Sequence, residues 1–325
     1  MKLNFYDKDL NRIGEIQTWV SMVWEEGYNT QGVFQLEVQE ISGIYSLLKR
    51  WVYVMKPDSD TVMVILSVQT KDSKIVAVGA PATCVLARRV STVEISNQNA
   101  ETALMAIVGG MTAWENLELG EIAGITDIYT AQISDKQVLE YCENIAQAVD
   151  MGFKIVRNGK KLNFVCYKPS LNPNAKYSEE YGNVGNIEHT ESDVNYYNVA
   201  CVAGEGEGND RVTVWAGNTA AAGNDRLELY IDARDVQRDS EETLESYQER
   251  LIARGNQKLI EQARIASVSF DIADDSVSLG DVITVKLANL GIVYQVRIIT
   301  VRETSQNNKT TRTVEVGEPI LRRRL

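Results

Sequence analysis

The stretch VACVAGEGEGNDRVTVWAGNTAAAGNDRLELYIDARD, residues 199–235, decides how the chain is read. Apolar strand-like runs flank glycine-rich turns, the tetrapeptide Gly-Asn-Asp-Arg occurs twice, and Asp232-Ala233-Arg234-Asp235 closes the segment. A glycine-rich loop after a strand invites a phosphate-binding reading, because backbone N–H groups converging at a helix N-terminus cradle anions, usually with Lys or Ser/Thr following. Gly204-Glu205-Gly206-Glu207-Gly208 instead carries two carboxylates that repel phosphate. The residues from Arg211 to Trp215 then alternate as a strand does. The loop is read as a wide hairpin connection between strands.

Outward from this segment the pattern is mainly β. Short strands are expected at 3–5, 12–16, 19–24 and 32–38, two helical turns at 41–48, and further strands at 51–55, 61–68 and 74–78. Between residues 82 and 150 the spacing turns helical, over 82–90, 99–108 and 135–149, with Ser134 or Asp135 as a cap for the last helix. A hairpin follows around Arg157-Asn158-Gly159, and a proline- and asparagine-rich loop at 168–186 marks the clearest internal boundary. The last third repeats the first pattern, with strands at 196–203, 212–215 and 227–231, a long helix over 240–264 capped by Ser240, then strands from 267 to 316. The expectation is an α+β, mainly β chain of two β(α)β domains with an α-rich insert, divided as 1–92, 93–195 and 196–325.

Composition removes several function classes. With 325 residues, 44% of them hydrophobic, the chain can bury two or three cores. A formal charge of −12 argues against general nucleic-acid binding, which needs clustered Lys and Arg. Arg322-Arg323-Arg324 reads as a solvated tail. No apolar run reaches the ~20 residues that span a bilayer, and the N-terminus lacks the pattern of a secretion signal. Cys84, Cys142, Cys166 and Cys201 lie far apart and read as small buried residues of a protein made in a reducing cytoplasm.

Catalytic patterns are weak. His189 is the only histidine and sits in a polar run, so an exposed loop residue is expected rather than a base or ligand. The adjacent acids Glu25-Glu26, Glu179-Glu180, Glu241-Glu242 and Asp274-Asp275 do not supply glycosidase chemistry, which needs carboxyls held apart across a cleft, and surface solvation explains most of them. The 274–281 run lacks the ligand spacing of a calcium loop and reads as a turn. No catalytic, cofactor or metal residues are assigned. Asp210, Arg211, Asp225, Arg226, Glu228, Asp232, Arg234 and Asp235 remain, alternating in charge at strand ends and turns. They are read as ion pairs fixing one domain or subunit against another, since the guanidinium fork matches a carboxylate. The competing reading is a set of solvated turn charges worth little each.

Several pieces in order resemble a family of siphovirus tail proteins within the wider group of tail hub and baseplate hub proteins. They include residues 24–36, Ala87-Arg88-Arg89-Val90, residues 177–183, 197–204 and 225–235, Arg254-Gly255 and residues 279–285. Gly27 stands where the resemblance implies an arginine. The resemblance implies a non-enzymatic homotrimer without cofactors, with two tail-tube-like β-barrel or sandwich domains per chain forming a pseudo-sixfold ring. Such a ring would join the tail tube to the tip of the virion tail and let DNA pass. Its partners would be itself, the tail tube or distal tail protein, tip, spike or fibre proteins and the tape measure protein, with assembly in the host cytoplasm. Ending at Leu325, the sequence is expected to carry no C-terminal peptidase or fibre extension. Two other readings compete: a tail-associated cell-wall hydrolase acting through carboxylates, and a carbohydrate-binding receptor module using the five tryptophans and fourteen tyrosines.

Overall fold

Alternating apolar residues become strands through most of the computed structural model, which describes residues 2–324 apart from 58, 92–94, 132–135, 240–241, 263–264, 273–276, 289–290 and 307–308. Contacts divide the chain into two units, Met1–Glu188 with Val268–Leu325, and His189–Ser267. This grouping cuts the chain elsewhere than at residues 92 and 195. The expected caps Ser134, Asp135 and Ser240, together with Glu241 and the Asp274-Asp275 turn, lie outside the described residues.

In the first unit, the strands Leu3–Tyr6, Arg12–Ile16, Ser21–Gly27, Phe34–Gln39, Tyr53–Met55, Val62–Lys71 and Lys74–Pro81 form an antiparallel run. Strand alternation sends Leu3, Phe5, Met22, Trp24, Phe34, Leu36, Met63, Ile65 and Ile75 into one core. The expected pair of helical turns at 41–48 shrinks to a single 3-10 turn, Ile44–Ser46, while Leu48 joins the buried core. The sheet is open. Among the described residues Arg12–Ile16 pairs only with Leu3–Tyr6, and the free edge of Ser21–Gly27 is taken by Ile292–Gln306 from the far end of the sequence. Of the expected barrel or sandwich domains, the barrel is corrected accordingly: a strand remote in sequence occupies the edge that closure would need.

The opposite face of these strands is covered by the insert. Helices α1 (Ala100–Gly110) and α2 (Val138–Ala148), a 3-10 stretch Ala82–Arg88 and the hairpin Gly152–Asn158 with Lys161–Tyr167 share one core with Tyr53, Met55, Val62 and Val64. Asn99 caps α1, its side chain accepting the Thr102 N–H at 3.0 Å. Glu101, in the first turn and 1% exposed, accepts the backbone N–H groups of Ala123 (2.5 Å), Gly124 (2.9 Å) and Ile125 (2.9 Å). One buried carboxylate thereby holds a loop that has no regular structure.

The expected loop at 168–186 is corrected too. Leu171–Ser178 is a strand, paired in parallel with Val282–Leu287, and Val184–Ser192 is another. Ala175 and Tyr177 are buried in a third core with Ile283, Val285, Tyr294, Val296 and Ile298. The register shifts between Leu171 and Lys176, around Pro173, so the strand tolerates a residue that cannot donate to the ladder. Arg322, Arg323 and Arg324 are not a free tail. Their backbone continues Lys309–Arg324 and pairs with Tyr294, Val293 and Ile292.

The second unit is a three-stranded sheet under one helix. Val199–Ala203 lies in the middle, antiparallel to Thr213–Gly217 and parallel to Glu228–Asp232. Helix α3 (Leu244–Glu261) starts after Thr243, whose side chain accepts the Ser246 N–H at 3.2 Å. Tyr247 and Leu251 pack on Ala200, Val202, Val214, Ala216 and Ile231. Gly255 lets the helix approach closely: a Cβ there would meet Ala216 Cβ at 2.7 Å and Val202 Cγ2 at 2.8 Å.

Candidate functional site

The repeated Gly-Asn-Asp-Arg folds twice into the same local device. Gly208–Asp210 and Gly223–Asp225 are 3-10 turns that start at glycines with φ of 54° and 60°, a region that favours glycine. Each turn delivers its arginine onto backbone carbonyls and a carboxylate on a neighbouring strand. Arg211 donates to Gly204 O (2.9 Å), Ala203 O (3.0 Å), Asp232 Oδ1 (2.5 Å) and the Tyr230 hydroxyl (3.0 Å). Arg226 donates to Glu228 Oε1 (2.5 Å), Thr219 O (3.1 Å) and Ala221 O (3.2 Å), and lies 4.8 Å from the Trp215 ring centroid.

Asp232 is also held by Arg234, through Nε at 3.0 Å and Nη2 at 2.5 Å. Asp235 faces Arg254 on α3 at 3.8 Å. Asp210 and Asp225 enter their turns through the backbone; the Asp225 carbonyl accepts from Asn198 Nδ2 at 2.7 Å. The structure thus joins Arg211, Asp232 and Arg234 in one cluster and Arg226 with Glu228 in another, all inside the second unit. The wide hairpin expected at 204–212 is present and leads into Thr213–Gly217. Its Glu205 accepts the Arg238 N–H at 3.0 Å, so the loop is tied down by its own acid.

The guanidinium of Arg234, followed by that of Arg211, holds the Asp232 carboxyl down at about 2 despite some desolvation. Because the folded value lies below the ordinary one of 3.8, the stability these pairs add is complete above that value and is lost as pH falls towards 2. We expect a carboxyl NMR titration of Asp232 with its midpoint near 2, moving up towards 3.8 in Arg234→Ala. A midpoint unchanged by that substitution would contradict the assignment.

A second site, within the first unit, was hidden from the sequence. Ser21–Gly27 and Ile292–Gln306 pair from Thr300↔Gly27 to Gln306↔Ser21. Their side chains cross-link the seam: Arg302 Nε to Glu25 Oε2 (2.5 Å), Lys56 Nζ to Glu303 Oε2 (2.7 Å) and Trp19 Nε1 to Ser305 Oγ (3.1 Å). Glu25 is buried. Glu26 accepts from Trp24 Nε1 (2.9 Å) and Thr61 Oγ1 (2.7 Å). The reading of Glu25-Glu26 as a solvated pair is therefore corrected: period-2 alternation puts one acid on each face, where Arg302 pairs with Glu25 while Trp24 and Thr61 donate to Glu26. A depression of about 1360 Å³ lies along this seam, lined in part by Glu26, Lys56, Asp60, Lys154, Glu303 and Arg312. Its charges meet across it, as in Lys154 Nζ to Asp60 Oδ2 at 2.5 Å.

Of the lone histidine the structure gives the backbone, on the strand Val184–Ser192 and not in a loop; its side chain lies outside the described residues. Cys84, Cys142 and Cys166 are buried and Cys201 half-buried, all four as free thiols. Burial pushes the Cys84 thiol up to about 11 and Cys166 to about 12, which leaves them unreactive at neutral pH.

With this geometry in hand, the family of siphovirus ReqiPepy6 Gp37-like proteins matches residues 2–318. The chain belongs to that family. The structure is similar to a 43 kDa tail protein of prophage MuSo2 from Shewanella oneidensis, at a TM-score of 0.62 and 10% identity over 98% of this chain and 99% of that one. A tail protein from Neisseria meningitidis MC58 matches with a TM-score of 0.61 and 11% identity, over 97% and 96% of the two chains. Prophage tail protein gp18 from Listeria monocytogenes EGD-e follows at 0.53 and 11%, over 99% and 96%. No curated protein matches the sequence. Family and fold together place this chain among phage tail proteins with a structural role.

Proposed function

We propose that this tail protein is a hub, a homotrimer whose ring joins the tail tube to the tail tip and leaves a passage for DNA. The observation that carries this reading is the seam. Two β halves of one chain, residues 3–81 and the strands after 281, are joined edge to edge by Ser21–Gly27 and Ile292–Gln306. One chain supplies two β halves, so three chains supply six, which suits the junction of a sixfold tube with a threefold tip. Closed rings are also the common way to cover exposed sheet edges. The formal charge of −12 suits a conduit that must not hold DNA.

On this reading the tube or distal tail protein, tip, spike or fibre proteins and the tape measure protein are the neighbours. Asp210, Asp225, Arg234 and Asp235 are exposed and remain the charged candidates for contacts between copies. The test is mass in solution together with imaging. Light scattering on the purified chain should give three times 36.3 kDa, and labelled tails should carry the protein at the tip end. A stable monomer that is absent from purified tails would overturn the proposal.

A further inference from the structure

The pair Arg88-Arg89 leads to a surface that the seam and the turn clusters leave unused. Arg50, Trp51, Leu66, Arg88, Arg89 and Trp114 line a shallow recess of about 480 Å³ in the first unit. Arg89 is committed to the fold. It donates to Thr112 O (3.0 Å), Arg88 O (3.0 Å) and Ala113 O (3.5 Å), and its Cζ lies 4.8 Å from the Trp114 ring centroid. Trp114 in turn donates from Nε1 to the Tyr53 hydroxyl at 3.3 Å. The floor of the recess is therefore fixed.

Its rim is open. Arg50 and Arg88 are exposed, and neither joins an ion pair among the described residues. Trp51 lines the recess with them, 39% exposed, its ring centroid 5.5 Å from that of Trp114 at 51°. Its φ is 68°, a strained value for a bulky side chain, and the backbone is held there by Trp51 N–H to Ile65 O (2.7 Å) and Ile65 N–H to Val52 O (2.9 Å). A large indole is thus kept part-exposed in a strained conformation, beside two arginines that have no carboxylate partner among the described residues.

We propose that this recess docks an acidic segment of a partner protein, with Arg50 and Arg88 gripping its carboxylates and Trp51 and Trp114 receiving the apolar stems beside them. Charge complementarity carries the choice: on a chain of formal charge −12, this spot offers guanidinium forks that have no ion-pair partner among the described residues, and such forks match carboxylates bidentately. Trp and Arg are also the residues that most often anchor protein interfaces. A nucleic acid fits less well. The two indole centroids are 5.5 Å apart at 51°, so no base stacks between them, and two arginines are few for a phosphate backbone. The proposal does not rest on the hub reading and survives its failure.

The test uses the full-length chain and a fluorescein-labelled twelve-residue peptide of alternating glutamate and leucine. A glutamine-for-glutamate version and a twelve-nucleotide oligothymidine serve as comparisons. Saturable anisotropy with the acidic peptide is expected, weakening as salt is raised. The double variant Arg50→Glu with Arg88→Glu should weaken binding by about tenfold or more, because attraction becomes repulsion. Trp51→Gly, which suits the positive φ, should weaken it by several-fold, and Arg12→Glu should leave it unchanged. Matching circular dichroism and melting curves establish that the variants fold. The proposal is overturned if the acidic peptide does not saturate, if the double variant binds it as well as the parent, or if oligothymidine binds more tightly.

Discussion

Glu101→Ala is expected to lower the stability of the first unit by about 3–5 kcal/mol, since three backbone donors lose their acceptor and the loop at 123–125 loses its anchor. The carboxylate is buried, so water cannot fully replace it. Glu101→Gln should recover only a small part. A carboxamide presents one acceptor oxygen, and its NH2 group would face N–H donors. Urea unfolding followed by tryptophan fluorescence measures the effect as a fall in midpoint with the slope unchanged. A loss below about 1 kcal/mol in the alanine variant would mean that the loop reaches other acceptors.

Gly79→Ala should be comparably damaging, at about 3 kcal/mol, because the added methyl has nowhere to go. Its Cβ would stand 2.0 Å from the Val64 carbonyl oxygen and 2.8 Å from its carbon. Both are backbone atoms of a paired strand. Gly79 lies opposite Phe34 on one side and Ile65 on the other, next to the register shift between Ile65 and Ser67. Relief would require the central strands to part. Gly185→Ala is the matched control, with nothing within 4 Å of the added carbon and an expected change within about 0.5 kcal/mol. Thermal melting of the two variants decides: equal midpoints would show that the sheet yields at Gly79 at little cost.

Both residues show where sequence reading reaches its limit. Glu101 stood alone as an acid among AETALMAIVGG, and such an isolated carboxylate at the start of an apolar helix is a usable signal for a buried acceptor. Gly79 carried no signal, because its need for space arises from Val64, on the neighbouring strand of the hairpin. The same division runs through the candidate sites. The turn residues Gly208 and Gly223 and the arginines that follow them were legible, since a local repeat folds locally. The partners of those arginines were partly legible, because Asp232 and Glu228 lie nearby on one strand. Glu25 and Arg302 were not, being 277 residues apart.

Period-2 alternation and helix spacing determined the mainly β class, helices α1 and α2 and the hairpin reading of residues 199–235, and the ordered set of short motifs determined the family. These depend on the short-range geometry of the backbone, which each segment carries in itself. The tertiary structure alone decided that the first sheet stays open, that residues 268–324 return to the unit containing the first strands, and that α3 packs in the other unit. The free edge of Ser21–Gly27 could have been satisfied by any strand with open N–H and C=O groups. That Ile292–Gln306 takes it follows from which faces can be buried together, and that is a property of the assembled chain.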